Sequence, residues 1–187
     1  MMASQWYLIW STERLIFRTE EAGDSFGSQL IVHKLIRLIV EMCFLQHRQY
    51  KPYDKWLGTA FQKIDIDRSF EKTILEAVSC QNVKRQIELL QKMLFQLGNT
   101  HNALHLAKAV DPKTVNYEVG VNNAVRPYLI FNSSEYKDAC IAGIRNPSLK
   151  KLVYTGAIDQ MTNVSDAMIN FTDWKAVIRR GFETILR

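Results

Sequence analysis

The chain has 187 residues, a net charge of +5, 47% hydrophobic residues and 23% charged residues. This composition excludes a disordered chain, and the length suits one domain rather than two. No run of about 18 apolar residues occurs, because Glu41 interrupts the most apolar stretch, and this excludes a membrane-spanning helix. The three cysteines are widely spaced and the first ten residues carry no signal-peptide pattern, so we expect a cytoplasmic protein.

The first predicted element is an aromatic helix over residues 3–18. Trp6, Trp10 and Phe17 recur at spacings of four and seven, which places them along one side of a helix. The helix begins almost at Met1 without a capping residue, so we expect further chain to precede it in a longer protein. If Trp6 and Trp10 were exposed, they would need a partner.

A second, longer helix is predicted to run to about Gln49, with Asp24 or Ser25 as its N-cap. Nearly all of its other positions are apolar, which predicts a helix buried on most sides at the centre of a bundle. Its one polar line consists of Lys34, Arg37, Glu41 and Arg48. Arg37 and Glu41 are four residues apart and can form an ion pair with each other.

Two shorter helices should follow, over residues 53–63 and Arg68–Ser79. Pro52 is favoured in a first helical turn, and Asp67 is a suitable N-cap for the second of them. Gly58 lies inside the first, and we interpret it as a glycine needed for packing rather than for binding.

The fifth predicted helix covers residues 82–108 and has an apolar stripe typical of an antiparallel bundle, with Gly98 as a candidate kink. Turn-forming residues then predict one long loop region over residues 110–134, with a short extended piece at residues 128–131. Helices are expected again over residues 134–144, 147–153 and 166–186. The predicted fold is all-α: an up-down helical bundle at residues 1–109, and at 110–187 a loop region and smaller C-terminal helices packed on it, forming one domain overall.

Two local patterns suggest metal chemistry, and each has a simpler explanation. Asp65 and Asp67 have the spacing of paired carboxylates, but the surroundings predict helix and Asp67 is better explained as a cap. His101 and His105 are four residues apart, without a third ligand, which is more typical of half-buried histidines than of a zinc site. No phosphate-binding glycine loop or nucleophile elbow occurs. We therefore predict no catalytic or metal-binding residues in this chain.

Two groups of residues remain as candidates for substrate binding. Tyr53 and Trp56 combine aromatic rings with the nearby glycine. Arg126 and Tyr128, expected on a loop, offer a charged and a hydroxyl group. Capping or structural ion pairing explains the polar groups as well as ligand contact does. The acidic and amide side chains that complete the second group are Asp159, Gln160 and Asp166.

Several distinctive segments follow one another along the chain. They are Ala3-Ser4-Gln5-Trp6, Gly23-Asp24, Gly27-Ser28, residues 37–44, residues 53–61, Gly156-Ala157-Ile158-Asp159-Gln160 and Ser165-Asp166. Together they resemble the C-terminal helical region of a bacterial family of nucleotidyltransferase-like proteins, domain-of-unknown-function family 4037. The resemblance extends over nearly the whole chain, although Met161 and Asn163 depart from the family pattern.

The resemblance implies a helical domain that positions substrate for a nucleotidyltransferase-like N-terminal domain in cis and is not an enzyme by itself. Magnesium and a nucleoside triphosphate would belong to that other domain, and this chain would hold no cofactor. The alternative is a stand-alone module, either a homodimer or a protein- or RNA-binding bundle. The positive charge permits an anionic partner. Because the basic residues are scattered, the composition argues against nucleic acid, and we expect no membrane partner.

Overall fold

The computed structural model describes residues 1–119 and 124–150. The fold is mostly helical, as the sequence predicts, with one small antiparallel sheet in addition. None of the helices in the described ranges is both long and apolar enough to cross a membrane. The elements in chain order are α1 (Met2–Glu21), α2 (Ser25–Gln46), a short 3-10 helix (Asp54–Trp56), α3 (Leu57–Phe61), α4 (Arg68–Ser79), α5 (Val83–Ala103), β1 (Thr114–Val119), β2 (Ala124–Phe131), α6 (Ser133–Gly143) and α7 (Pro147–Lys150).

Helix α1 contributes its aromatic stripe to the centre of the fold. Trp6 is completely buried, and its ring stacks on Tyr136 of α6 with centroids 4.7 Å apart. The indole Nε1 donates a hydrogen bond to Nδ1 of His101 on α5 at 3.1 Å. Trp6 therefore joins three helices, and because it is not exposed it requires no external partner. Trp10 is half-buried.

Helix α2 is buried on most sides, as predicted. It packs on α1, α4 and α5, and the side chains of Val32, Leu35 and Ile39 are completely inaccessible to solvent. Asp24 caps the helix by accepting a hydrogen bond from the Gly27 amide at 2.8 Å. The helix ends at Gln46, three residues earlier than expected.

The predicted helix over residues 53–63 is only partly present. A 3-10 turn precedes the five-residue helix α3, whose Phe61 is its one buried residue. A Cβ atom added at Gly58 would meet nothing within 4 Å, so the interpretation of this glycine as a packing residue is wrong. Helix α4 agrees with the prediction, and the Asp67 carboxylate accepts a hydrogen bond from the Ser69 amide at 2.9 Å.

Helix α5 has the predicted stripe but ends at Ala103, earlier than expected. His105 follows with a φ of 52°, a left-handed conformation that cannot continue a right-handed helix. His101 is buried in the core, whereas His105 is exposed beyond the helix end. The spacing of four in sequence therefore does not place the two imidazoles on one helical face.

The region expected to be a long loop instead contains a β-hairpin. Strands β1 and β2 pair antiparallel, with Val115 opposite Ile130 and Asn116 opposite Leu129. One face, with Tyr117, Tyr128 and Ile130, packs against Trp10 and Phe17 of α1. Arg126-Pro127, which we interpreted as a turn signal, lies inside β2, and only residues 128–131 of this strand were predicted to be extended.

Helix α6 lies within one residue of its predicted bounds and packs against α1. This contact joins residues on both sides of the boundary expected near residue 109. The described part of α7 covers only Pro147–Lys150 of the predicted 147–153, and the predicted helix over residues 166–186 lies outside the described residues. The up-down order of the bundle and the division into two parts stay predictions.

Candidate functional site

A network of charged side chains ties the C-terminal half of α2 to the segment that follows it. Glu41 is buried, and its Oε1 accepts from Nε of Arg37 at 3.1 Å and from Nζ of Lys51 at 2.8 Å. Its Oε2 accepts from the Gln5 side-chain amide at 3.3 Å. A buried carboxylate is tolerated when it is paired and hydrogen-bonded, and both conditions hold here. The predicted pairing of Arg37 with Glu41 is confirmed.

Arg37 also reaches outward to Asp54 at the start of the 3-10 turn. The guanidinium binds both carboxylate oxygens, NH2 to Oδ1 at 2.7 Å and NH1 to Oδ2 at 3.2 Å. This two-point geometry fixes orientation as well as distance. Arg37 lowers the pKa of the Asp54 carboxyl below its usual range, and the hydrogen bonds to Asp54 and Glu41 raise the pKa of Arg37 itself. Both charges therefore persist at neutral pH.

The residues held by this network form the aromatic segment, residues 47–56, between α2 and α3. Tyr50 is 80% exposed, Tyr53 78% and Trp56 55%, although all three rings are large and apolar. Lys55 lies over the Trp56 ring, with Nζ 5.2 Å from its centroid. Exposed tyrosine and tryptophan clustered in a few residues are typical of binding surfaces, where rigid rings supply contact area at low entropic cost.

The backbone of the aromatic segment is fixed at its start and in its middle. His47 closes α2, and its Nδ1 and Nε2 lie 2.8 Å from the Cys43 carbonyl oxygen and 3.1 Å from that of Asp65. Arg48 then turns the chain with a φ of 57°. The Trp56 amide donates to the Tyr53 carbonyl at 2.8 Å. The exposed rings thus project from an ordered segment.

Two cavities among the described residues lie beside the start of this segment. One, of about 400 Å³, is mostly apolar and is bounded by the start of α1, Arg48, Tyr50 and Cys140. The other, of about 350 Å³, is more polar and is lined by His47, Asp65 and Asp67 together with residues of α5. Both volumes lie at the lower end of the range for small-molecule sites. Within residues 1–119 and 124–150, His, Cys, Asp and Glu side chains form no group of three or more that could hold a metal ion.

Cys140 and His101 are close but are not arranged as a nucleophile and its base. Trp6 can only donate, so Nδ1 of His101 must accept and the proton of the neutral imidazole is on Nε2. Nε2 lies 3.7 Å from the Cys140 sulfur, where it can donate to sulfur but cannot take the thiol proton. Burial lowers the pKa of His101 and raises that of Cys140 to about 11. The thiol is therefore protonated and unreactive at neutral pH.

Glu13 is a buried acid that closes the open edge of β2. Its Oε1 accepts a hydrogen bond from the Phe131 amide at 3.0 Å, while Oε2 is buried without a partner among the described residues. On the same edge the Gln91 side chain donates to the Leu129 carbonyl at 2.8 Å, and Pro127 has no amide proton to offer. An edge strand covered in this way cannot pair with another chain. Burial raises the pKa of Glu13 to about 8.

The predicted binding residues differ in their exposure to solvent and in the elements on which they lie. Tyr53 and Trp56 are exposed on the aromatic segment. Arg126 and Tyr128 lie on β2 rather than on the expected loop; Arg126 is exposed, but the Tyr128 ring is buried and stacks on Phe17 with centroids 5.0 Å apart. Burial, and to a smaller extent the nearby carboxylate of Glu21, raises the pKa of Tyr128. The other candidates, Asp159, Gln160 and Asp166, lie outside the described residues, so their role stays a prediction.

Sequence reasoning missed Tyr50, Lys51 and Asp54, which complete the charged network and the exposed aromatic cluster. The signal was the alternation of basic and aromatic residues through positions 47–56. We interpreted most of these positions as the end of the second predicted helix and the start of the third. It also missed Glu13, since a single glutamate within an amphipathic helix carries no pattern that distinguishes it from a solvated residue.

The fold and site define a mostly helical domain that carries a small β-hairpin and an exposed aromatic segment beside a charged network. Residues 1–57 match the family model of a domain of unknown function, DUF4037. The match covers α1, α2, the whole charged network and all of the aromatic segment. The chain is similar to that family over this part, whereas the resemblance expected over nearly the whole chain is not matched beyond residue 57. No curated protein and no solved structure matches the chain.

Proposed function

We propose that this chain is a substrate-positioning helical domain that acts with a nucleotidyltransferase-like domain in the bacterial cytoplasm and is not catalytic by itself. The observation that carries the proposal is that residues 1–57, which match the DUF4037 model, contain the entire charged network and the exposed aromatic segment that it orders. Magnesium and the nucleoside triphosphate would bind to the other domain.

The proposal accounts for the use of charge in this segment. Glu41 and Lys51 are largely withdrawn from solvent. The Arg37 guanidinium donates from Nε to Glu41 and from both terminal nitrogens to Asp54. Such groups orient a segment rather than meet a substrate. The groups left for contact are the aromatic rings and their neighbouring cations. A positioning role follows from this division, because orientation at a reacting centre is itself a large part of catalysis.

The test is to combine the chain with the nucleotidyltransferase-like domain of a DUF4037 protein. We expect the two to associate in size-exclusion chromatography with light scattering, and transfer from magnesium-bound nucleoside triphosphate to exceed that of either part alone. If the combination neither associates nor binds the triphosphate, the proposal fails. A homodimer that excludes the other domain would favour the stand-alone alternative.

Arg37→Ala should reduce this gain in transfer by about tenfold, because the aromatic segment loses its two-point tie and samples unproductive orientations. The matched control is Arg85→Ala, since Arg85 also bridges two carboxylates, Glu76 and Glu88, on the surface of α4 and α5. Both variants should remain folded, because the surface ion pairs of Arg85 each contribute about 0–1 kcal/mol, and in Arg37→Ala the buried Glu41 keeps Lys51 and Gln5 as partners. Equal losses in the two variants would contradict a specific role for the network.

A further inference from the structure

The aromatic segment combines exposed rings and cations in alternation. The order along the chain is Arg48, Tyr50, Lys51, Tyr53, Lys55 and Trp56, with Asp54 as the one acidic residue of the segment. Three rings are more than half exposed, which is unusual for side chains with so much apolar area.

Some charged side chains of this segment form ion pairs with other described residues, and some do not. Lys51 is paired with Glu41, and Asp54 is neutralised by Arg37. Arg48 and Lys55 are exposed and form no salt bridge among residues 1–119 and 124–150. Among the residues that the structure describes, Arg48 and Lys55 therefore place two positive charges beside the three exposed rings without a carboxylate paired to either.

We propose that the aromatic segment binds single-stranded nucleic acid, with bases stacked on Tyr50, Tyr53 and Trp56 and phosphates contacted by Arg48 and Lys55. Stacking platforms combined with backbone-binding cations are how proteins hold unpaired nucleic acid. This inference names the substrate class of the positioning site and so rests on the proposed function.

The chemistry of the segment favours a nucleic acid over a protein partner. Protein interfaces are enriched in tyrosine and tryptophan but depleted in lysine, whereas here lysines stand directly beside the rings. Lys55 Nζ lies 5.2 Å from the centroid of the Trp56 ring, which is 55% exposed, so a cation already accompanies the ring on which a base would stack. Bases in a duplex are already stacked on one another, so an unpaired strand is the form that fits.

The experiment measures binding of fluorescently labelled 12-nucleotide single-stranded RNA and DNA to the full chain by anisotropy, over a series of salt concentrations. Tyr53→Ala and Trp56→Ala should each weaken binding about tenfold, whereas Trp56→Phe should retain most of it. Replacing Arg48 and Lys55 by glutamine should lower the slope of log affinity against log salt by about 1.4, as expected for two phosphate contacts. Circular dichroism checks that each variant is folded.

Two control variants lie at the opposite end of α2. Phe26 is 74% exposed in the first turn of α2, so Phe26→Ala removes an equally exposed ring from a different surface. Lys84 is exposed in the first turn of α5, near the residues that contact Gln29, so Lys84→Gln removes a comparable charge. Neither should change the affinity.

Three results would overturn the inference: no salt-dependent binding of either single strand, equal losses in the control variants, or equal binding of a duplex of the same sequence. A preference for RNA over DNA would show that the 2′-hydroxyl is also contacted, and equal affinities would mean that stacking and phosphate contacts suffice; both support the inference. Because association with the nucleotidyltransferase-like domain is measured separately, intact association without nucleic-acid binding would overturn this inference alone.

Discussion

Raising the pH from 4 to 9 should destabilise the native chain by up to about 5 kcal/mol more than it destabilises the variant Glu13→Gln. The reason is the buried position of Glu13, where the pKa rises from 4.5 to about 8. Burial penalises the carboxylate but not the carboxylic acid, so the folded chain holds a proton that the unfolded chain releases. The stabilisation is complete below about pH 4.5, declines as the pH rises through the folded pKa, and is lost above it.

The comparison with glutamine isolates this one group. Glutamine keeps an oxygen that can accept from the Phe131 amide, but it does not titrate. Other groups with shifted pKa values, such as Asp54, Asp67 and His101, titrate equally in both proteins and cancel in the difference. Free energies of unfolding from urea titrations at several pH values give the measurement. Parallel pH profiles for the two proteins would contradict the assignment.

Removal of the side-chain oxygen that accepts from the Phe131 amide should change the stability in a different way. Compared with Glu13→Gln, the variant Glu13→Ala leaves the buried Phe131 amide without a partner, which costs about 1–3 kcal/mol at every pH because neither variant titrates at this position. This loss should be accompanied by faster hydrogen exchange at the Phe131 amide, since the edge of β2 is then uncovered. A pH-independent difference in stability between the alanine and glutamine variants measures the hydrogen bond, and the pH-dependent difference between the glutamine variant and the native chain measures the charge.

The helices were predictable because their signals are local. Periodic apolar residues identified α1, α2, α4, α5 and α6, and Asp24 and Asp67 act as the N-caps that their positions indicated. The hairpin was not predicted because turn residues are abundant around it and its apolar alternation is short. Pro127 inside β2 also argues against a central strand, and it is tolerated here because it lies where the register between β1 and β2 shifts, between the Asn116–Leu129 and Glu118–Val125 pairs.

The candidate site was only half predictable. Tyr53 and Trp56 were singled out by residue type, but their exposure depends on where the chain goes after α2, and that depends on contacts between residues distant in sequence. Gln5 and Glu41 are 36 positions apart and Arg37 and Asp54 are 17 apart. No spacing rule connects such pairs, since Gln5 meets Glu41 only once α1 has packed on α2, and Asp54 meets Arg37 only once the chain has folded back along α2.

Gly98→Ala should destabilise the chain by about 1–3 kcal/mol, although glycine to alanine inside a helix ordinarily gains about 1 kcal/mol. Gly98 lies in α5, where an added Cβ would be 2.5 Å from Oη of Tyr136, 2.9 Å from its Cζ and 3.0 Å from Cζ of Phe131. These separations are too short for non-bonded carbon and oxygen atoms. The glycine therefore provides close approach between α5 and the aromatic core, and the helix continues through it without a break.

Tyr136 has little freedom to move away from the new methyl group. Its ring is completely buried, stacks on Trp6 with centroids 4.7 Å apart and on Phe131 with centroids 5.5 Å apart, and its hydroxyl donates to the Val110 carbonyl at 3.1 Å. A shift of this ring would disturb all three contacts at once. Thermal and urea unfolding of the variant measure the loss.

Gly58→Ala is the matched control, because Gly58 also lies in a helix but has nothing within 4 Å of the added atom. It should leave stability unchanged or raise it by up to about 1 kcal/mol. A double-mutant cycle with Tyr136→Phe locates the clash, since removal of the hydroxyl relieves the shortest contact and should make the cost of Gly98→Ala smaller in that background. If the two substitutions are additive, the clash with the Tyr136 hydroxyl is not the cause, and the cost arises from the ring carbons of Tyr136 and Phe131 instead.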